Sequence, residues 1–355
     1  MAKIRISIID QSLRSGNAKA SEAFADTITM ARLADRLGYY RYWVSEHHAN
    51  PVICGSVPEV LLAAIGANTR HIRIGTGGIM LPHYSAYRVA EIISTLNNLY
   101  PGRFDAGLGR APGGDVAVSY ALAKDRRPQF EKFVENFQIL RGYLNGEIRH
   151  PRLVPEPATP IPLHILGTSP HSAVMAGQMG LPYAIGRFIN PQVGTDLAAR
   201  YRDNFEPSHP DAQPHLILAT TALAAESKER AEMLRKNVYV NYVHMLGEGD
   251  MAGMLPPEDT IDFSFDGPQA LAVGRQARVA AFGTGEQVVE QLHEMVHQFD
   301  ADEIMMTCNS YYLSDRLASL QLIADAAGMQ DHMKGPSAER SNTQHDSDAS
   351  PTTLA

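Results

Sequence analysis

Eight times between residues 4 and 327, a short β-branched or apolar run is followed by a longer stretch with apolar residues at helical spacing. The strand-like runs are residues 4–9, 40–44, 72–76, 104–108, 163–166, 183–185, 215–222 and 303–307. Their helical partners are residues 21–37, 58–68, 87–100, 129–144, 169–179, 192–205, 227–246 and 314–327. Gly38 and Gly180 stand where two of these helices must stop, because a left-handed C-terminal position favours glycine. Strict β–α alternation calls for parallel strands joined by helical crossovers. Eight units of about 40 residues predict an α/β fold, a (β/α)8 TIM barrel with insertions, over an open doubly wound sheet.

Residues 150–162 are proline-rich and read as an extended excursion before the fifth strand. Residues 248–282 carry Gly, Pro, Met and Phe without clear periodicity and precede a further helical segment, 286–299. A loop that long over a barrel is either a plain surface excursion or a lid. Residues 1–333 are expected to form one barrel domain, with 334–355 a polar, disordered tail.

A net charge of −8 repels nucleic acid and anionic membranes, and no run of 18 apolar residues offers a transmembrane helix. The apolar stretch in residues 1–10 is too short for a signal peptide and is expected to be the first strand. Cys54 and Cys308 are the only cysteines, which fits a reducing cytoplasm better than a disulfide framework.

In a barrel, chemistry collects where strands end, and the second strand ends in Glu46-His47-His48. Successive residues face opposite sides, so only one imidazole can enter the mouth while strand geometry persists. Two adjacent imidazoles therefore cannot both chelate one metal here, no metal site is expected, and a neutral catalytic or hydrogen-bonding histidine competes with a structural one. The third strand ends in Gly77-Gly78, which permits close approach of a flat ligand or simply makes a tight turn. After the fourth strand, Gly107-x-Gly109-x-x-Pro112 fails the dinucleotide fingerprint at its last position, where Pro112 replaces glycine. What remains there is Arg110 on a glycine-rich loop, suited to gripping a phosphate or to pairing with a neighbouring loop. Thr168, Ser169 and Ser172 put three hydroxyls at a helix start, an anion site of which N-capping would explain one. Arg110 and that helix start together suggest a phosphate-bearing cofactor across the barrel mouth.

Residues 43–48, 74–82, 99–104, 107–113, 176–182, 282–287 and 301–304, in this order, resemble the bacterial luciferase-like family of flavin-dependent monooxygenases. Segments 81–85 and 109–113 resemble a widespread single-chain subgroup of it. The resemblance implies an enzyme that takes reduced FMN from a separate flavin reductase and uses O2 to oxygenate a small organic substrate. It implies that His47 lies near the reactive edge of the flavin, and that Gly77-Gly78 supplies a peptide, often cis in the family, against the ring. Arg110, Ser169 and Ser172 match its flavin-phosphate ligands. Thr168 stands where luciferase has a glutamate, so only a backbone contact carries over, and Gly109 replaces a cysteine. A homodimer is implied as well, although Val89, Ile92, Ile93 and Leu96 could equally be core. Two rival functions fit the same motifs: a deazaflavin-dependent hydride-transfer oxidoreductase, and a non-catalytic flavin-binding protein.

Overall fold

The structure is a computed structural model and describes residues 4–123, 129–246 and 253–332. Its strands are β1 (Arg5–Asp10), β2 (Arg41–Val44), β3 (Arg73–Met80), β4 (Phe104–Gly109), β5 (Leu163–Gly167), β6 (Tyr183–Gly186), β7 (Leu216–Ala224), β8 (Ala281–Gly283) and β9 (Glu303–Thr307). They run β6-β5-β4-β3-β2-β1-β9-β7, and a β6–β7 pairing closes the ring, so eight parallel strands make the predicted barrel. The short β8 extends only the far end of β7, pairing Ala281 with Ala222. It adds to the barrel rather than entering it.

The helices are α1 (Ala20–Leu37), α2 (Pro58–Asn68), α3 (Ala86–Leu99), α4 (Val116–Leu122), α5 (Phe133–Leu144), α6 (Pro170–Gln178), α7 (Asp196–Asp203), α8 (Lys228–Leu246), α9 (Gly267–Ala277), α10 (Gly285–Phe299) and α11 (Leu313–Ala326). Their apolar stripes face the barrel; α1, for example, buries Ala23, Met30, Ala34 and Leu37 at three- and four-residue spacing. Gly38 closes α1 at φ 79°, with its N–H on the last carbonyls. Val89, Ile93 and Leu96 of α3 are buried in this core, so they are not dimer surface on this chain.

Two segments differ from the sequence reading. Part of 248–282 is ordered structure: α9 starts with a reciprocal cap between Asp266 and Gln269 and buries only Gln276, so no hydrophobic period betrays it. Residues 247–252 and the expected tail, 334–355, lie outside the described residues. The 150–162 excursion straps α3, with Ser94 donating to the Pro155 carbonyl at 2.6 Å and Asn98 to that of Glu156 at 2.8 Å.

Inside the barrel, Ile9, Trp43, Ala184, Ile217, Ala219 and Met305 form one apolar layer. Beneath it, at the strand starts, Arg41 donates to Glu303 (2.8 Å) and Asp105 (2.7 Å), and Arg73 also pairs with Asp105. Above it, at the strand ends, the barrel opens.

Candidate active site

That opening is a cavity of about 630 Å³ whose base is Ile9, Trp43, Ala184, Ala219 and Met305. His47, Gly77, Arg110, Thr168, Ser169 and Ser172 all line it, so the residues singled out from four separate segments converge on one space. Gly78 does not line it. The Gly77–Gly78 peptide is cis, and the β3–β4 register skips between Gly77 and Ile79, a bulge at the strand end. Gly78 requires glycine, because a Cβ there would lie 2.7 Å from the Gly107 carbonyl oxygen, whereas a Cβ at Gly77 would lie 2.7 Å from Ile9 Cδ1, a side-chain tip that can shift.

The strand β2 stops at Val44, before the imidazoles, so alternation does not decide their directions, yet only one of the two lines the cavity. His47 lines the cavity; its backbone N–H donates to Gly55, and its Nδ1 sits 3.1 Å from Ser45 Oγ. Burial and the neighbouring His48 push its pKa below the ordinary value, which keeps the imidazole neutral. His48 turns instead to Glu46, with Nε2 2.8 Å from Oε1. Buried Glu46 also accepts from Tyr84 Oη at 2.8 Å and from the Met80 N–H at 2.9 Å. Burial and this carboxylate push the Tyr84 phenol up, so it stays a donor. Three donors thus stabilise one buried carboxylate and tie β2 to the end of β3.

The same cluster braces the loop that carries Arg110. The His48 N–H donates to the Gly113 carbonyl at 2.7 Å, and His83 Nε2 lies 2.7 Å from the Pro112 carbonyl oxygen. Arg110 itself is exposed and makes no hydrogen bond or ion pair among the described residues. A neighbouring-loop ion pair is therefore not its role in this structure.

Across the cavity, α6 presents its N-terminus. Here the sequence reading needs correction, since capping uses two of the three hydroxyls rather than one. Ser169 Oγ accepts from the Ser172 N–H (3.3 Å) while Ser172 Oγ accepts from the Ser169 N–H (3.2 Å). Ser172 Oγ also donates to the Ser169 carbonyl (2.8 Å) and lies 2.9 Å from Tyr183 Oη, so it has no proton left to give. Thr168 has no such commitment. An anion here would meet Arg110, Thr168, Ser169 and the His171 N–H, which the capping bonds leave open in the first turn.

A second cavity of about 270 Å³ opens beside the first and shares His47, Phe188 and Ile189 with it. It was not legible in the sequence, because its walls come from the loops after β1, β2, β6 and β9, from α8, and from the segment before β8. Among the described residues no cluster of His, Cys, Asp and Glu could hold a metal, and no helix is long and apolar enough to cross a membrane.

Comparison with known proteins matches residues 4–303 to the family model described as luciferase-like monooxygenase. The chain is 35% identical to the Bacillus subtilis protein YwcH over 91% of this chain and 99% of that one. It is 32% identical to the N-acetyl-S-alkylcysteine monooxygenase of the same organism, over 91% and 98%. Apo-MsnO8 superposes with a TM-score of 0.83 at 31% identity, covering 92% of this chain and 99% of that one. Two more distant structures share the fold at 17% and 15% identity, with TM-scores of 0.67 and 0.61. One is the oxygenating constituent of 3,6-diketocamphane monooxygenase from Pseudomonas putida in complex with FMN, the other an F420-dependent secondary alcohol dehydrogenase.

Proposed function

The chain belongs to the luciferase-like monooxygenase family, and from that premise we propose an oxygenase that takes reduced FMN from a separate flavin reductase and oxygenates a small organic substrate. The observation that carries this reading is the pairing of an uncommitted cation and a helix N-terminus at one end of the cavity with a neutral histidine at the other. A flavin phosphate fits the first end: Arg110 is unpaired among the described residues, Thr168 and Ser169 stand beside the open His171 N–H, and Ser172 holds that turn in place. The ring fits against Gly77, which lines the cavity and carries no side chain of its own. Bound reduced flavin supplies the electrons for activating O2, and this chain's part is to bind it, exclude water and hold protons. His47 lines the cavity and Ser45 engages its Nδ1, which leaves Nε2 to donate to or accept from the reacting oxygen.

Trp43 is the chain's single tryptophan and lies at the base of the cavity, so its fluorescence reports what enters. Saturable quenching by FMN, tighter than by coenzyme F420, followed by slower reoxidation than free reduced flavin, is the expected result. Tighter binding of F420 with oxygen-independent hydride transfer would point to the deazaflavin reading. Tight oxidised-FMN binding with reoxidation unchanged in His47→Ala would make the protein a carrier. The homodimer also stands as a proposal, and sedimentation of the full chain tests it.

A further inference from the structure

We infer that the second cavity is the substrate chamber and that it selects an uncharged molecule with an amide-like head and an apolar tail; this rests on the flavin reading of the first cavity. The two spaces meet at His47, so a molecule in the chamber lies against the residue proposed to handle protons. Leu13, Val52, Ile53, Val238, Met254 and Ala280 give it apolar walls. Among the described residues that line it there is no Lys, Arg, Asp or Glu, and the one adjacent imidazole is held neutral by burial and His48. A carboxylate or sulfonate would lose its hydration there without gaining a counter-charge, a penalty that an uncharged molecule escapes.

The lining also carries uncharged polar side chains, Asn50, Thr221, Tyr242 and Gln276 among them, and two of its amides, Gln11 and Asn309, form a matched pair. Asn309 Nδ2 donates to Gln11 Oε1 at 3.3 Å, and Gln11 is 8% exposed. That bond uses one donor and one acceptor, leaving the Gln11 amino group and the Asn309 carbonyl oxygen without partners among the described residues. Exchanging O and N in both amides leaves the same result with the roles reversed. Either way the pair shows the chamber one donor beside one acceptor, the complement of a secondary amide. At the other side, Ile189, Met245 and Leu246 form an apolar rim, 66%, 38% and 62% exposed, where a tail can leave the protein surface.

Calorimetric titration of the full chain, with and without FMN, should compare N-methyloctanamide with octanoate at pH 8. The amide should bind at least tenfold tighter. Gln11→Leu should lose most of that advantage without altering Trp43 quenching by FMN. Met245→Arg, at a partly exposed position that tolerates charge, should strengthen octanoate binding several-fold. Octanoate binding as well as the amide, or neither binding while FMN saturates the protein, would overturn the inference. Amide binding that persists in a protein unable to bind FMN would sink the flavin reading and leave the chamber's selectivity standing.

Discussion

The two ends of this barrel are both polar, and they handle polarity in opposite ways. At the floor, Arg41, Arg73, Asp105 and Glu303 answer one another; Asp105 and Glu303 are fully buried, and Ser7 and His215 complete the coordination of Glu303. At the mouth, Arg110, Thr168 and one half of each chamber amide answer nothing among the described residues. The polar mouth group that is fully answered, Glu46, is the one that braces a loop rather than faces the cavity as a free group. A satisfied polar group is part of the scaffold, while an unsatisfied one beside a cavity waits for a ligand.

The comparison breaks hardest at Arg41. Its replacement by Met leaves Asp105 and Glu303 buried without their shared cation, a loss of about 3–5 kcal/mol by the usual cost of orphaning a buried charge. Urea unfolding measures it, and Arg41→Met combined with Glu303→Gln should recover part of the loss. A cost below about 1 kcal/mol would mean that water enters the floor and that its pairing is not structural.

At the mouth, His47→Ala should lower turnover by about 10²–10⁴-fold, the scale of a lost proton-transfer group, with FMN quenching of Trp43 nearly unchanged. Because burial and His48 depress the His47 pKa, the neutral form survives below pH 6.5, and kcat/KM should fall only on the acid side of that value. Unchanged turnover would remove His47 from the chemistry. Arg110→Ala should cost about 1.5–3 kcal/mol in FMN binding, roughly tenfold to a hundredfold in Kd, while stability moves by no more than about 0.5 kcal/mol. The reverse pattern, lost stability with Kd intact, would make Arg110 part of the scaffold.

Strand–helix alternation was legible because every barrel strand is an apolar run and most helices bury a stripe. The helix α9 escaped because a surface helix with one buried residue has no stripe, although the Asp266–Gln269 spacing of its cap was there to be read. His47, Arg110 and Ser169 could be found because each lies in a local motif at a strand end. The floor could not, since Arg41 and Glu303 are 262 positions apart and each looks like an isolated charge beside a strand. Gln11 and Asn309, 298 apart, escaped for the same reason. Ser172 lines the cavity and closes a capping box as well, and the second task was not legible, because a hydroxyl at a helix start looks alike in sequence whether it faces a ligand or caps.

Acid titration gives the sharpest contrast between the ends, because each holds an imidazole kept neutral. Burial, then the Arg41 guanidinium 3.5 Å away, push the floor's His164 down to about 3. Its folded pKa therefore lies below the ordinary 6.5, so the unfolded chain takes up the proton first. The stability it contributes is complete above pH 6.5 and drains away as pH falls toward 3, by up to about 1.4 kcal/mol per pH unit. Asp105 and Glu303 are also held below ordinary carboxylate values; burial alone would raise them, but Arg41 outweighs it. Their contribution persists until pH drops below about 4, so it does not obscure the window between 6.5 and 5. In that window the slope of unfolding free energy against pH should flatten by nearly one proton in His164→Gln, whose amide carries no charge. His47→Ala should flatten it less, since His47 borders an open cavity and its shift is smaller. Equal flattening at both ends would mean that the floor hydrates when it protonates, and the distinction between a closed scaffold and an open site would then hold only near neutral pH.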